Sequence, residues 1–160
     1  MKTVLVVEDR LEDIILINRV LQRTAFACKI QVVTDGQKLM DYLSGTGPYA
    51  NRNEYPIPAL ILLDINTPRR NGHEALTWVR SQSEFEFLPV VMLTSSSEQS
   101  DIERAYCERA NSYLVKPVLY GEFENMLSCV LDYWLNINHK SSAHTDFADT
   151  VCTYNFGSES

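Results

Sequence analysis

The sequence predicts an α/β protein in which a βα unit repeats five times, forming a doubly wound parallel sheet. Three observations predict it. Five short apolar runs recur along the 160 residues, each ending in polar residues. The runs are continuous in Val, Ile, Leu and Met rather than alternating, which suits strands buried on both faces of a sheet. About two dozen residues separate one run from the next, long enough for the helical crossovers that parallel strands require.

The first strand is read at Val4-Leu5-Val6-Val7, followed by a helix whose apolar stripe is Leu11, Ile14, Ile17, Val20 and Leu21. Ile30-Gln31-Val32-Val33 is the second and weakest strand, and Leu39, Met40 and Leu43 mark its helix. Ala59-Leu60-Ile61-Leu62-Leu63 is the third, with Ala75, Leu76 and Val79 behind it. Val90-Val91-Met92-Leu93 is the fourth, with Ile102, Ala105 and Tyr106 on its helix and Ser100 with Glu103 as a capping box. Ser112-Tyr113-Leu114-Val115 is the fifth, and Phe123, Leu127, Val130, Leu131 and Trp134 mark the last helix. Residues 45–58 form a turn-rich loop. The domain is expected over residues 1–137, with a polar tail over 138–160 in which Phe147, Val151, Tyr154 and Phe156 are scattered.

Composition narrows the function. Apolar residues are 45% and charged residues 22%, which excludes a disordered or collagenous chain. The net charge of −7 argues against binding nucleic acid through its phosphates, which takes clustered Lys and Arg. No apolar run approaches the ~18 residues of a membrane span, and the N-terminal run is too short for a signal-peptide core. Cys28, Cys107, Cys129 and Cys152 form neither a CxxC pair nor a zinc spacing, so free thiols and a cytoplasmic location are expected. Length leaves little for a second core, so output is expected through protein contacts.

In open α/β sheets, sites form outside the carboxyl ends of the strands where the strand order reverses. Glu8 and Asp9 follow the first strand, Asp64 the third, Thr94 and Ser95 the fourth, and Lys116-Pro117 the fifth. With strand order 2-1-3-4-5 the switch point lies between strands one and three and gathers Glu8, Asp9 and Asp64. Carboxylates crowded into one crevice either raise a pKa or recruit a cation. Mg²⁺, a hard cation, takes one or two carboxylates plus a carbonyl and keeps several waters. With Lys116 as a point charge and Thr94 as a hydroxyl, these parts suit a phosphoryl group placed on a carboxylate. One Asp after a strand is usually a turn former or cap; the argument rests on the joint pattern.

Those motifs resemble the receiver domain of two-component response regulators over roughly residues 3–136. The carrying stretches are Val6-Val7-Glu8-Asp9, Leu62-Leu63-Asp64-Ile65-Asn66-Thr67-Pro68-Arg69-Arg70-Asn71-Gly72, Met92-Leu93-Thr94-Ser95 and Tyr113-Leu114-Val115-Lys116-Pro117. The resemblance implies a flavodoxin-like receiver fold of order 2-1-3-4-5. It implies Asp64 as phospho-acceptor, and Mg²⁺ held by Glu8, Asp9, Asp64 and the backbone carbonyl of Asn66. Thr94 is then the switch hydroxyl, Tyr113 the aromatic switch and Lys116 the phosphate-pairing lysine, with a cis Lys116–Pro117 bond and Gly72 as the loop glycine. Ser95 departs mildly from the family's usual Ala or Gly. The loop before the third strand and the stretch around Asp64 look like single-domain regulators paired with phytochrome-type histidine kinases. Such a protein is a switch rather than an enzyme, catalysing only its own phosphorylation and dephosphorylation.

Three rivals fare worse. A haloacid-dehalogenase-type phosphatase needs a second Asp as general acid where Asn66 stands, and its nucleophile ends the first strand. A pseudo-receiver would have lost Asp64, Asp9 or Lys116. A flavodoxin binds flavin phosphate in a Ser/Thr-rich loop where this chain has Glu8-Asp9-Arg10. His73 reads as a helix-start residue, and His139 and His144 as tail residues. Ile14, Ile15, Leu16 and Ile17 cannot all face one sheet, so Ile15 is expected outward, where a kinase would dock. Tyr106, Tyr113, Tyr120, Phe123, Tyr133 and Trp134 crowd the fourth and fifth helices, where a homodimer interface is expected.

Overall fold

The computed structural model of the chain describes residues 1–23 and 27–140. Its elements follow the expected alternation: β1 (Lys2–Val7), α1 (Leu11–Arg23), β2 (Cys28–Val33), α2 (Gly36–Ser44), β3 (Leu60–Leu63), α3 (Gly72–Ser81), β4 (Val90–Thr94), α4 (Gln99–Cys107), β5 (Ser112–Val115) and α5 (Tyr120–Asp132). The strands form one sheet of order β2-β1-β3-β4-β5, and every pairing is parallel.

Burial on both faces explains the unbroken apolar runs. Successive side chains of a strand point to opposite faces. Val4 and Val6 of β1, Leu60 and Leu62 of β3, and Val91 and Leu93 of β4 therefore pack with Ile17, Val20 and Leu21 of α1 and Phe123, Leu127 and Leu131 of α5. Leu5 and Val7, Ile61 and Leu63, and Val90 and Met92 pack instead with Leu39 and Leu43 of α2, Leu76 and Val79 of α3, and Ala105 of α4. The three central strands are buried, whereas the edge strands β2 and β5 are half-buried along most of their length. The weak apolar pattern of the second strand is thus the signature of an edge.

Capping places the helices. Asp35 accepts the backbone N–H of Lys38 (2.8 Å) to start α2, and Asn71 accepts that of Glu74 (3.0 Å) to start α3. Gly45 ends α2 in the left-handed region at φ 67°, which glycine adopts without steric cost. The Arg52 guanidinium then donates to the carbonyls of Tyr42 (2.7 Å), Leu43 (2.5 Å) and Tyr55 (3.1 Å), tying the 45–58 loop to the end of α2. Tyr42, Tyr49 and Tyr55 close it with ring centroids 5.2–5.9 Å apart. Among the described residues no helix is long and apolar enough to cross a membrane.

Several expectations need correction. The capping box at Ser100 does not form: α4 begins at Gln99, its N-cap is Glu98, and Ser100 lies inside the first turn. Leu11 is 66% exposed and Tyr106 51% exposed, so neither belongs to the core. Leu11 opens α1 immediately beyond the carboxyl end of β1, short of the turns that cover the sheet. Tyr106 follows the buried Ala105 and faces away from it. The Lys116–Pro117 bond is trans, as every peptide bond among the described residues is. Trans is the intrinsically favoured form even before proline, by about 0.5–1 kcal/mol. His144 and the tail residues Phe147, Val151, Tyr154 and Phe156 lie outside the described residues.

Two glycines hold the loops around the carboxyl edge of the sheet. A Cβ on Gly72 would stand 2.5 Å from the carbonyl oxygen of Asp64, and one on Gly36 would stand 2.4 Å from that of Arg70. Gly72 also donates its backbone N–H to the Ile65 carbonyl at 2.9 Å, so α3 starts directly against the backbone that carries Asp64. Gly72→Ala should push that segment away and lower stability by about 1–3 kcal/mol, the usual cost of overpacking. Urea denaturation checks this, and an unchanged midpoint contradicts the close approach.

Candidate functional site

The site is built at the carboxyl ends of β1, β3, β4 and β5. The ladder sets its depth. The Asp64 N–H donates to the Val7 carbonyl (3.1 Å), the Glu8 N–H to Val33 (3.0 Å) and the Lys116 N–H to Thr94 (2.7 Å). Each functional side chain therefore leaves the sheet where its strand has just ended.

At the centre stands the Lys116 ammonium. It donates to the Glu8 carboxylate, to Asp64 Oδ2 at 2.9 Å and to Asp13 Oδ2 at 2.9 Å. An ammonium has three donors, and three carboxylates take them. The side chains of Lys116, Glu8 and Asp64 are nearly inaccessible, at 6%, 2% and 6% of their full exposure. Burial holds the Glu8 carboxyl above the ordinary value; Lys116 and the Arg10 backbone N–H pull it down, and Asp64 adds repulsion. Burial disfavours the Lys116 charge, but its carboxylate partners outweigh that and push its pKa up. Asp64 Oδ1 also accepts the Asn66 N–H at 3.1 Å, which fixes the carboxylate plane.

Thr94 is fully buried beside this group, and its Oγ1 accepts the Ser96 N–H at a long 3.4 Å. Tyr113 is half-buried and donates its hydroxyl proton to the Ser96 carbonyl at 2.9 Å. The β4–α4 loop thus joins the two expected switch residues. Ser96 Oγ continues the path to Asp101 Oδ2 at 2.5 Å, and that bond holds the Asp101 carboxyl below the usual range.

Glu8, Asp64, Thr94 and Lys116 come together as expected. Asp9 differs: it is exposed at the rim. Among the described residues no three His, Cys, Asp or Glu side chains stand in an arrangement that would hold a metal ion. The Lys116 ammonium lies between Glu8 and Asp64 and donates to both. The donor chemistry still fits a hard divalent cation. It consists only of oxygens, and three carboxylates around one ammonium leave an excess of two negative charges.

Two features escaped the sequence reading. Asp13 lies in the first turn of α1, where an acid complements the helix dipole; only the fold carries it to Lys116. His73 does start α3, but it is buried and touches α4 at both nitrogens. Nδ1 is 2.6 Å from Glu108 Oε2 and Nε2 is 3.5 Å from Asp101 Oδ1. A single His after a turn glycine carries no signal of either contact.

Removing Lys116 leaves two buried carboxylates facing each other. Loss of one partner from a buried ionic cluster costs about 3–5 kcal/mol. Lys116→Ala should lose on that order at pH 7 without divalent cation. The Glu8 carboxyl, already raised by burial, would lose the lysine that lowers it, so the stability it contributes is present at low pH and lost as pH rises through its raised folded value. The deficit of the variant should therefore shrink as pH is lowered toward about 4.5, the ordinary Glu value from which Glu8 is raised. Paired denaturation curves at the two pH values measure it; a deficit independent of pH contradicts the assignment.

The profile of the response regulator receiver domain matches residues 4–128. A probable methanogenesis regulatory protein, FilR2 of Methanothrix harundinacea, is 33% identical over 138 residues, covering 84% of each chain. Response regulator Rcp1 of Synechocystis is 32% identical over 134 residues, covering 84% of this chain and 89% of its own. The crystal structure of the Mn²⁺-bound form of Rcp1 superimposes with a TM-score of 0.81 at 30% identity, over 89% of this chain and 100% of that one. The phosphorylated cyanobacterial phytochrome response regulator RcpA gives the same TM-score at 32% identity, over 86% of this chain and 96% of that one. Among its relatives are thus regulators associated with phytochromes, and the chain belongs to the response regulator receiver domain family of two-component signalling.

Proposed function

We propose that Asp64 accepts a phosphoryl group from a phosphohistidine of a two-component kinase. The observation that carries this reading is the Lys116 ammonium shared between Asp64 and Glu8 at the carboxyl edge of the sheet. A carboxylate oxygen of Asp64 forms the new bond to phosphorus as the P–N bond to the kinase histidine breaks, and the imidazole leaves with the electron pair. Lys116 follows the charge onto the phosphoryl oxygens. Glu8, Asp9, Asp64 and the Asn66 carbonyl are the residues that would hold Mg²⁺, which neutralises charge on the transferred group when bound. Asp9 lies at the rim next to Glu8, so it joins that set by a side-chain movement.

Thr94 and Tyr113 carry the signal outward. Inverting a 1:99 equilibrium takes about 5.5 kcal/mol, whereas one hydrogen bond to a charged group supplies about 1.5–3 kcal/mol. Thr94 therefore acts together with Lys116. Tyr113, bonded to the same Ser96 that meets Thr94, repositions the β4–α4 loop.

The kinase reading rests on α1. Ile15 is 44% exposed while Ile17 is buried, as the four consecutive apolar residues required. Val118 and Leu119, at the start of the segment after Lys116, are exposed as well. Relatedness to RcpA and Rcp1 supports a phytochrome-type kinase as the partner. A homodimer through α4 and α5 is the accompanying proposal, supported by exposed Tyr106, Val115 and Tyr120 on these helices and on the edge strand between them.

Acetyl phosphate with Mg²⁺ should add one phosphate to the wild-type chain by intact mass and none to Asp64→Asn. Ile15→Glu should label normally with acetyl phosphate but at least tenfold more slowly from the cognate kinase. Labelling of the Asn variant overturns the acceptor; equal slowing with both donors overturns the docking role.

For the dimer, sedimentation at micromolar concentration with and without beryllofluoride should reveal twice the monomer mass in at least one condition. A stable interface of that kind buries on the order of 1,600 Å². Monomer mass in both conditions overturns it.

A further inference from the structure

We infer that Asp13 is a positioning residue for the phosphoryl chemistry, keeping the Lys116 ammonium aimed at Asp64 while Glu8 and Asp64 are drawn to a divalent cation. This rests on the reading of Asp64 as acceptor and adds to it a residue outside the metal set.

The argument begins with the three donors of Lys116 and their three acceptors, Glu8, Asp13 and Asp64. Two of these acceptors have other work. Glu8 and Asp64 are the carboxylates that would face a cation, and an Asp64 oxygen becomes bonded to phosphorus. A carboxylate shared with a dication is a poorer acceptor for an ammonium, because the two positive charges repel. Both hold Lys116 less tightly at the moment its charge is needed.

Asp13 is free of these demands. It stands on α1 rather than on a strand end, and it meets the ammonium at 2.9 Å. Its side chain is 19% exposed against 2% for Glu8, so water helps to solvate it and its charge is cheaper to maintain. The other cation in reach is Arg10, at 4.0 Å and largely in solvent, where ion pairs are weak. Lys116, by contrast, is almost wholly buried and has no solvent to turn to at its present position. Asp13 is therefore the acceptor that can keep the ammonium in the crevice through the whole cycle.

The test uses the full chain with acetyl phosphate and Mg²⁺. Asp13→Asn, which keeps the shape and loses the charge, should slow labelling of Asp64 about tenfold, and Asp13→Glu should restore most of the rate. In a Lys116→Ala background the Asn substitution should have no further effect, since the residue it positions is gone. Lysine-selective ¹⁵N NMR in Mg²⁺ supplies a reading apart from activity: the Lys116 ammonium signal should be sharp in wild type and broadened by solvent exchange in Asp13→Asn. Circular dichroism confirms the fold, and Asp13→Ala reads the same change should the Asn side chain perturb α1. Wild-type protein that takes no label defeats the underlying reading of Asp64. Wild-type labelling with an Asp13→Asn rate unchanged or faster, or an equal slowing when Lys116 is already absent, overturns the role of Asp13.

Discussion

One ammonium group organises the carboxyl edge of this sheet. Glu8 and Asp64 sit on neighbouring strands, almost without solvent, at a spacing that two like charges would not tolerate alone. Lys116 reaches them from β5, two strands beyond β3, and makes the arrangement stable. The cluster is nonetheless incomplete as electrostatics: one positive charge answers three negative ones. That imbalance is the kind that a further positive charge in the crevice would relieve.

The surrounding fold serves that edge by close approach rather than by added polar contacts. The start of α3 lies against the Asp64 backbone because residue 72 has no side chain, and the start of α2 lies against Arg70 because residue 36 has none. The 45–58 loop is tied to the end of α2 by Arg52, whose guanidinium caps the carbonyls there. Loop length and loop order are therefore separate matters here: fourteen residues rich in Gly, Pro and Asn are fixed by one guanidinium and three tyrosine rings.

The β4–α4 loop links the carboxyl edge of the sheet to α3 and α4. Thr94 and Tyr113 both bond to Ser96, Ser96 bonds to Asp101, and Asp101 faces the buried His73 of α3. His73 in turn contacts Glu108, which pairs with Arg104 at 2.8 Å. A displacement of one loop is thus tied to the packing of α3 against α4, on the same side of the molecule as the exposed Tyr106. Chains of side-chain contacts of this kind transmit a change only when the element they hold has two arrangements.

The alternation of strands and helices is legible residue by residue along the chain. Strands buried on both faces must be apolar throughout, and crossovers must be long, so both properties are written locally. The sequence also placed Glu8, Asp64, Thr94 and Lys116 at strand ends, because a polar residue that closes an apolar run marks where the chain leaves the sheet. What tertiary structure decided are pairings across the chain. Asp13 belongs to the lysine cluster only because the first turn of α1 and the residue that follows β5 meet at the carboxyl edge of the sheet, a contact spanning 103 residues with no local trace. Asp9, although adjacent to Glu8, lies exposed at the rim. Ser100 fell inside a helix rather than at its cap, since helix starts are set by the geometry of the preceding loop as much as by the residue able to cap. His73 became a buried bridge between α3 and α4 for the same reason: a side chain's partners depend on which helix lies alongside, and that is fixed by the sheet's order rather than by its neighbours in sequence.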